Sequence, residues 1–371
     1  MKEPPLTRSH PAPRHGAHAG STVTVRAPAK VNLHLGVGPL RPDGYHDVIT
    51  VLQAVSLFDD LTATVPATAP GTSTTASTPT AVDQPGSDTS TGLEITVAVT
   101  GEGAAGNRPA TSTPDVSIVP TGLDNIAVRA AHLVAEAAGI TSARLHLALT
   151  KGIPVAAGMA GGSADAAAAL VACDALWQTG LDRATLAELA ARLGSDVPFP
   201  LAGGTALGTG RGEQLTDVLA TGEYYWVFAL ADGGLSTPAV YAEFDRLSEG
   251  RLRSGPTPAD DVLAALRTGD PRQLGAALVN DLQPAALRLR PALRRVLSTG
   301  TELGAVGAIV SGSGPTCAFL AAGATESIEL AASLAGMGVA RAVRRAAGPA
   351  AGARVVAGAG TAPVGPTGDG P

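Results

Sequence analysis

Aromatic side chains make up only 3% of this 371-residue sequence, which excludes a core built mainly on aromatic rings. The interior must therefore consist largely of Val, Leu, Ile and Ala, and each of the four tyrosines becomes a candidate for a specific contact. The chain has only two cysteines, too few for a disulfide framework in a protein of this size. Because Cys173 and Cys317 stand in apolar runs, we expect both to be buried free thiols.

Long apolar runs and basic clusters are also missing. No run approaches the roughly 18 residues of a membrane span, and residues 1–20 lack the apolar core of a secretory signal, so we expect a cytoplasmic protein with no membrane contact. The net charge of -6 and the absence of a basic block argue against a nucleic-acid partner. No obligate protein partner is indicated either.

Strand-like and helix-like segments are mixed along the chain, which predicts an α+β protein of two domains, 21–214 and 215–346. Thr, Ala, Pro, Ser and Gly dominate residues 62–91, a composition that predicts a disordered insertion. We likewise expect disordered tails at 1–20 and 347–371.

The segment PVAAGMAGGSADAAAAL, residues 154–170, follows a predicted strand and leads into a helix predicted to begin near Ser163. Glycines allow backbone N–H groups to approach a ligand closely, and a helix N-terminus attracts anions. The segment therefore suits a polyphosphate, although it lacks the Walker and dinucleotide-binding fingerprints. Because Gly and Ala are abundant throughout, this window alone leaves a phosphate site and a plain Ala/Gly connection equally open.

Lysine is rare, accounting for three of the 26 basic residues. Lys30 lies in APAKVNLHL and Lys151 lies three residues before Pro154, so both internal lysines stand beside motif-like stretches. A compact ammonium suits a point contact to a phosphate or carboxylate. A surface position is the alternative for each.

Three further stretches carry candidate site residues. In GSDVPF, Asp196 precedes a Val-Pro pair, and we expect the proline to hold Val197 in an extended conformation. Tyr45 and His46 follow the tight turn of RPDGYHD, and Tyr241 is a further isolated aromatic. SGSGPT, residues 311–316, is a second Gly/Ser turn that could face the first loop. Each of these has an ordinary structural reading as a turn or a partly buried residue.

Six motifs in order resemble the GHMP kinase superfamily: APAKVNLHLGV, RPDGYHDV, DNIAVRA, KGIPVAAGMAGGSADAA, LGSDVPF and SGSGPTC. The resemblance extends from about Val23 to Val343. It implies an N-terminal domain like domain 2 of ribosomal protein S5 and a ferredoxin-like C-terminal domain. PAKVNLHL with RPDGYH points to the member that phosphorylates a cytidine diphosphate-linked methylerythritol on its 2-hydroxyl, with ATP as donor and Mg²⁺ expected, in the non-mevalonate route to isoprenoid precursors.

The resemblance also implies roles for individual residues. Lys30 and Asp196 would form the catalytic pair. The ATP contacts would come from Pro154, Val155, Ala156, Ala157, Gly158, Met159, Ala160, Gly161, Gly162, Ser163 and Ala164, together with Asn125 and Lys151. The substrate contacts would come from Asn32, Tyr45, His46 and Tyr241. The metal ligands are not identified, Ser163 being a weak candidate, and Ala160 departs from the glycine that many members carry.

Three alternatives remain open at this level. The chain could phosphorylate another small alcohol such as homoserine or mevalonate, it could be a catalytically silent nucleotide-binding regulator, or it could be an S5-like RNA-binding protein. The acidic net charge disfavours the last of these.

Overall fold

A computed structural model of the chain describes residues 18–67, 92–102, 119–249 and 255–358. These residues form two sheets with helices packed on them. The strands are β1 Thr22–Leu40, β2 His46–Thr64, β3 Gly92–Gly101, β4 Ser142–Lys151, β5 Thr205–Thr209, β6 Gln214–Asp217, β7 Tyr224–Leu230, β8 Val279–Asn280, β9 Gly307–Val310, β10 Cys317–Ala321, β11 Ala342–Gly348 and β12 Arg354–Gly358. The helices are α1 Ile126–Ala138, α2 Gly161–Trp177, α3 Arg183–Leu193, α4 Pro198–Ala202, α5 Thr237–Ser248, α6 Asp260–Thr268, α7 Pro271–Ala276, α8 Gln283–Leu289, α9 Ala292–Glu302 and α10 Ala324–Gly336.

The first sheet has the order β12-β1-β2-β4-β3. In addition, β5 pairs with β2 and β6, and β8 pairs with β1. Its centre is the long antiparallel pair β1–β2, which continues past Pro28 with a register shift between Pro28 and Ala29. Proline lacks a donor for the ladder and is tolerated at such a bulge. The pair therefore carries both the Lys30 motif and the start of the His46 strand in one rigid unit.

The Ala-rich helix α2 lies in the core of the first domain. It contacts α1, α3, β1 and β2, and residues 164–170 are all buried. Small side chains let these neighbours approach closely, so the alanine content reflects dense packing rather than a flexible connection. The helix begins at Gly161, two residues before the predicted start, and ends at Trp177.

The second sheet has the order β11-β7-β10-β9, and its strand pairs are antiparallel. With α5 and α10 between strands of this sheet, this is the ferredoxin-like order that the resemblance implies. A buried hydrogen bond from Trp226 Nε1 to Gln53 Oε1, 3.0 Å long, ties β7 to β2. The two domains therefore share a packed interface.

The predicted C-terminal tail was wrong over part of its length. β11 extends to Gly348, and β12 pairs with β1 through Val23–Gly358 and its neighbours, so this stretch completes the first sheet. The outer edge of β1 explains the strand, because backbone N–H and C=O groups there need hydrogen-bond partners and the backbone of β12 supplies them. Residues 359–371 lie outside the described residues.

Two other predicted boundaries also need correction. Residues 62–64 of the predicted insertion belong to β2, and its residues 68–91 lie outside the described part. Gly20 N donates to Val65 O, so residues 18–20 form a turn beside β2, whereas 1–17 are not described.

The predicted division at 214/215 cuts the β5–β6 hairpin of the first sheet, and the second sheet begins only at Tyr224. β8 and β12 also belong to the first sheet, since both pair with β1. These pairings join residues far apart in the chain, and local sequence patterns do not reveal them.

The start of α4 also corrects the interpretation of GSDVPF. Val197 has φ -71° and ψ -37°, which is helical rather than extended, and Pro198 occupies the first helical position. Proline is well suited to that position, since its missing N–H would have no partner there.

Candidate active site

Two cavities adjoin at the Gly-rich loop between β4 and α2. The large cavity has a volume of about 760 Å³ and is lined by side chains from both domains, and the small cavity has a volume of about 370 Å³ beside the loop. Gly158 and Ala160 line both. A ligand in one cavity can therefore meet a ligand in the other at the loop.

The predicted site residues divide between these cavities. The large cavity is lined by Lys30, Asn32, Tyr45, His46, Asp196 and Tyr241. The small cavity is lined by Asn125, Lys151, Pro154, Val155, Ala156, Ala157, Gly158, Met159, Ala160, Gly161 and Gly162. Ser163 and Ala164 line neither: because α2 starts at Gly161, Ala164 is already turned into the core.

The two Gly/Ser turns meet as expected. Gly158 has φ +70°, and a Cβ on it would lie 2.7 Å from Ser311 O, so a larger residue is excluded there. Ser311 Oγ donates to Gly158 O at 3.4 Å. A Cβ on Gly312 would lie 3.3 Å from Lys30 Nζ, so the second turn also passes close to the Lys30 ammonium.

Ala160 shows why this position favours glycine. It has φ 59° and ψ 34°, a left-handed conformation that costs an alanine about 1–2 kcal/mol, and it provides no side-chain cap for α2. The first N–H groups of α2 have no carbonyl partner within the helix and stand at its positive dipole end. Gly161 and Gly162, the first two residues of the helix, line the small cavity.

Asn125 caps helix α1. Its Oδ1 accepts from Ala127 N at 2.8 Å, and its Nδ2 donates to Pro120 O at 2.6 Å. It lines the small cavity, but both ends of its amide are already hydrogen-bonded to the local backbone.

Lys151 is buried in a charged cluster beneath the loop. Its ammonium donates to Asp59, to Asp165 Oδ2 at 2.5 Å and to Gly161 O at 3.3 Å, which uses all three of its N–H groups. Asp59 Oδ1 also accepts from Gly152 N and Ile153 N, at 2.8 and 2.9 Å. The cluster therefore holds the loop entrance and the start of α2 together.

The electrostatics of this cluster are uneven. Burial alone would lower the pKa of Lys151, but the charges of Asp165 and Asp59 outweigh it, and the pKa is raised. Burial raises the pKa of Asp165 to about 7, with Lys151 opposing the rise and Asp59 adding to it. Asp165 Oδ1 is buried and has no hydrogen-bond partner among the described residues. This oxygen marks a place where a positive group would be stabilised.

Lys30 heads a hydrogen-bond chain on β1 and β2. Its Nζ donates to Asn32 Oδ1 at 2.5 Å, Asn32 Nδ2 donates to Thr50 Oγ1 at 3.1 Å, and Thr50 Oγ1 donates to His34 O at 2.7 Å. Burial lowers the pKa of Lys30 below its usual value, and the charge of Asp196 opposes the shift. The direct partner of Lys30 is therefore Asn32, and Asp196 acts on it across the cavity.

His46, Tyr241 and Tyr45 form one end of the large cavity. The rings of His46 and Tyr241 have centroids 5.0 Å apart at 35°, and Tyr45 is 53% exposed at the rim. Burial, with the charge of Asp196 adding to it, raises the pKa of Tyr241 to about 12. All three residues line the large cavity.

Sequence reasoning missed three charged residues of this cavity. Asp245 Oδ1 lies 2.8 Å from His46 Nε2, and the Arg211 guanidinium lies 5.1 Å from the centroid of the Tyr45 ring. Arg192, at the end of α3, lines the same wall. These residues come from segments far apart in the chain, so no local pattern could have grouped them with RPDGYHD.

Within the four described ranges, no group of three or more His, Cys, Asp or Glu side chains is arranged to hold a metal ion. Cys173 and Cys317 are buried free thiols, as predicted. Among the helices that the structure describes, none is long and apolar enough to cross a membrane.

Comparison with known proteins identifies relatives over nearly the whole chain. The sequence model of the GHMP kinases N terminal domain matches residues 125–204, and that of the GHMP kinases C terminal domain matches residues 262–340. Proteins named 4-diphosphocytidyl-2-C-methyl-D-erythritol kinase from Nocardia farcinica and Thermobifida fusca are 52% and 51% identical over 91% of this chain, covering 97% and 100% of their own lengths.

Solved structures agree in fold. A crystal structure of 4-(cytidine 5'-diphospho)-2C-methyl-D-erythritol kinase is 32% identical, with a TM-score of 0.63, covering 87% of this chain and 98% of its own. Homoserine kinase from Cytophaga hutchinsonii is 16% identical, with a TM-score of 0.61 and coverages of 91% and 98%. The second likeness concerns the fold alone.

Proposed function

Because the chain belongs to the GHMP kinase family, we propose that it transfers the γ-phosphoryl group of ATP to the 2-hydroxyl of 4-diphosphocytidyl-2-C-methyl-D-erythritol, giving the 2-phosphate and ADP. The observation that carries this proposal is the identity of about half over 91% of the chain with kinases named for that substrate. The protein is accordingly a small-molecule kinase of the methylerythritol phosphate route to isoprenoid precursors.

The small cavity is the proposed ATP site. The loop of residues 154–160 carries backbone in left-handed conformations at Ala156, Gly158 and Ala160, and the N-terminus of α2 follows it. Both features favour the binding of anionic phosphates through N–H groups. The junction at Gly158 and Ala160 would then present the γ-phosphate to the large cavity.

The reaction requires little covalent work from the protein, since phosphoryl transfer is mainly a matter of positioning and charge neutralisation. In the proposed step the substrate hydroxyl oxygen forms a bond to the γ-phosphorus, the bond to the ADP oxygen breaks, and Asp196 accepts the hydroxyl proton. The loose transition state of phosphoryl transfer needs little early removal of the hydroxyl proton. Asp196 therefore acts mainly by orienting the hydroxyl, and Lys30 neutralises charge that develops on the transferred group.

The large cavity is the proposed acceptor site. Tyr45 and Tyr241 would enclose the cytosine ring, and His46 would bind its polar edge. Asn32 would contact the diphosphate through the amide N–H that Thr50 does not use. This arrangement is supported by the presence of all four residues in the lining of one cavity.

We propose that Mg²⁺ accompanies ATP and that Asp165 Oδ1 would hold it. Mg²⁺ in nucleotide sites is usually bound by one or two carboxylates together with the phosphates. Asp165 fits because its free oxygen is buried beside the small cavity and because two carboxylates share one ammonium in its cluster. The ion would neutralise charge on the phosphates.

The Asp165 assignment can be tested by binding rather than turnover. Asp165→Asn should weaken the binding of Mg·ATP by about tenfold, equivalent to about 1.4 kcal/mol, and leave the binding of metal-free ATP nearly unchanged. Isothermal titration calorimetry with and without Mg²⁺ measures both. Equal loss in the two titrations would show that Asp165 supports the loop instead.

The activity itself is tested by coupled ADP release with three acceptors: the cytidyl substrate, homoserine and mevalonate. We expect turnover with the cytidyl substrate alone. If another alcohol were the preferred acceptor, the chain would be a different small-molecule kinase of the same family. If none of the three acceptors supported ADP release, a catalytically silent nucleotide-binding protein would be favoured. A filter-binding assay with RNA tests the remaining alternative, for which no binding is expected.

A further inference from the structure

Helix α5 presents three side chains to the imidazole of His46. Tyr241, Phe244 and Asp245 are spaced i, i+3 and i+4, so they share one face of the helix. Phe244 meets the His46 ring edge-on at 6.0 Å between centroids, and Asp245 Oδ1 lies 2.8 Å from Nε2. His46 belongs to the first domain, and its ring is therefore oriented by the second.

The contact with Asp245 determines which ring nitrogen carries the proton. An ionised carboxylate only accepts hydrogen bonds, so Nε2 must donate. In a neutral imidazole the other nitrogen is then an acceptor. Among the described residues we find no partner for His46 Nδ1, and the ring lines the large cavity. A ligand group that donates a hydrogen bond can therefore bind there.

Cytosine and uracil differ in this property. Cytosine carries an amino group at C4, which donates, whereas uracil carries a carbonyl oxygen there, which accepts. We propose that Asp245 is a positioning residue that holds His46 as the Nε2–H tautomer, so that Nδ1 accepts from the cytosine amino group and disfavours uracil. This inference rests on the proposed function, because it assigns the base specificity of the proposed acceptor site.

A donor-only side chain at position 245 gives the sharpest test. Asp245 is half-buried at the cavity wall, and Asp245→Lys would donate to Nε2 and so favour the Nδ1–H tautomer. The kcat/KM ratio for the cytidyl substrate over its uridyl counterpart should fall at least tenfold. The change should appear mainly in KM, with kcat altered less than about threefold, because His46 is not placed at the reacting hydroxyl.

Two variants act as controls. Asp245→Glu retains an acceptor and should keep the ratio within about threefold of the parent. Asp47→Lys makes the same charge change at an exposed residue paired with Arg41, and it should leave the ratio unchanged. Thermal unfolding and the KM for ATP check that each variant folds.

Long-range ¹H–¹⁵N spectra of the histidines provide an independent readout. We expect the Nε2–H tautomer of His46 in the parent and the Nδ1–H tautomer in Asp245→Lys. An imidazolium or an Nδ1–H tautomer in the parent would overturn the inference. So would an unchanged base ratio in Asp245→Lys that still uses the cytidyl substrate, whereas no activity of the parent on that substrate would contradict the proposed function instead.

Discussion

The chemistry depends on a few charged residues that the fold removes from water. Lys30 and Asp196 face one cavity, yet Lys30 donates to Asn32 and meets Asp196 only through its field. This arrangement leaves Asp196 available to a substrate hydroxyl. Two predictions concern this pair.

Asp196→Asn should lower kcat by about 10² to 10⁴-fold, the usual effect of removing a positioned acid or base group, and leave the KM for ATP nearly unchanged. Steady-state ADP release measures both constants. Asp217→Asn, at an exposed position on β6, is the matched control and should behave like the parent. Near-normal turnover of Asp196→Asn would remove this residue from the mechanism.

The activity should fall on the alkaline side with an apparent pKa below that of an ordinary lysine. Burial lowers the pKa of Lys30, so its proton is lost at a lower pH than in water, and the charge that it supplies is lost with it. A pH profile of kcat measures this limb. Lys30→Arg keeps its positive charge at high pH. This variant should be less active than the parent, but its kcat should show no alkaline fall. An identical alkaline fall in kcat in both proteins would show that another group causes it.

At the scale of elements, the junction between the loop and α2 combines strain with function. From the sequence alone, the Ala/Gly-rich segment could be either a phosphate site or a plain connection. The structure gives separate reasons for its alanines and for its glycine-rich loop. The alanines pack α2 against its neighbours, and the loop before them lies between two cavities.

Ala160→Gly should stabilise the protein modestly. The left-handed conformation costs alanine about 1–2 kcal/mol, which glycine would avoid. The greater conformational freedom of glycine in the unfolded chain opposes this gain by about 0.4–1 kcal/mol. The free energy of unfolding, measured by urea denaturation, should therefore rise by up to about 1.6 kcal/mol.

Ala332→Gly is the matched control, since Ala332 lies on an exposed face inside α10. It should lose about 1 kcal/mol, because glycine is unfavourable in a helix interior. Similar losses in both variants would show that Ala160 is not strained.

At the scale of the whole molecule, the two sheets are joined by chain segments that cross between them. β12 follows the second sheet in sequence but pairs with β1 of the first, and Gly203 bridges to Ala351 beside it. The C-terminal stretch therefore connects both domains.

A chain that ends at Gly348 should unfold at a lower temperature than one that ends at Gly358. The shorter chain loses β12 and leaves the backbone groups of β1 that faced it, at residues 23–26, without partners. The longer chain keeps every described contact of that strand. Differential scanning calorimetry compares the two. Equal melting temperatures would show that β12 contributes little to stability.

Local sequence patterns were sufficient for much of this protein. The ends of helix α3 are one example, because a capping aspartate, Asp182, precedes its first residue and a glycine, Gly194, follows its last. The order of the motifs likewise indicated the family. The grouping of Lys30, His46 and Asp196 followed from the resemblance rather than from their spacing, since nothing local relates residues so far apart.

Only the tertiary structure decided how these segments meet. The bond between His46 and Asp245 spans 199 positions, the Lys151 cluster joins residues from β2, β4 and α2, and β12 returns to β1. Caps, turns and hydrophobic periodicity act over a few residues, and a sequence displays them directly. Cavities, buried ion clusters and edge pairings depend on which surfaces the packed core brings together, and that is a property of the fold as a whole.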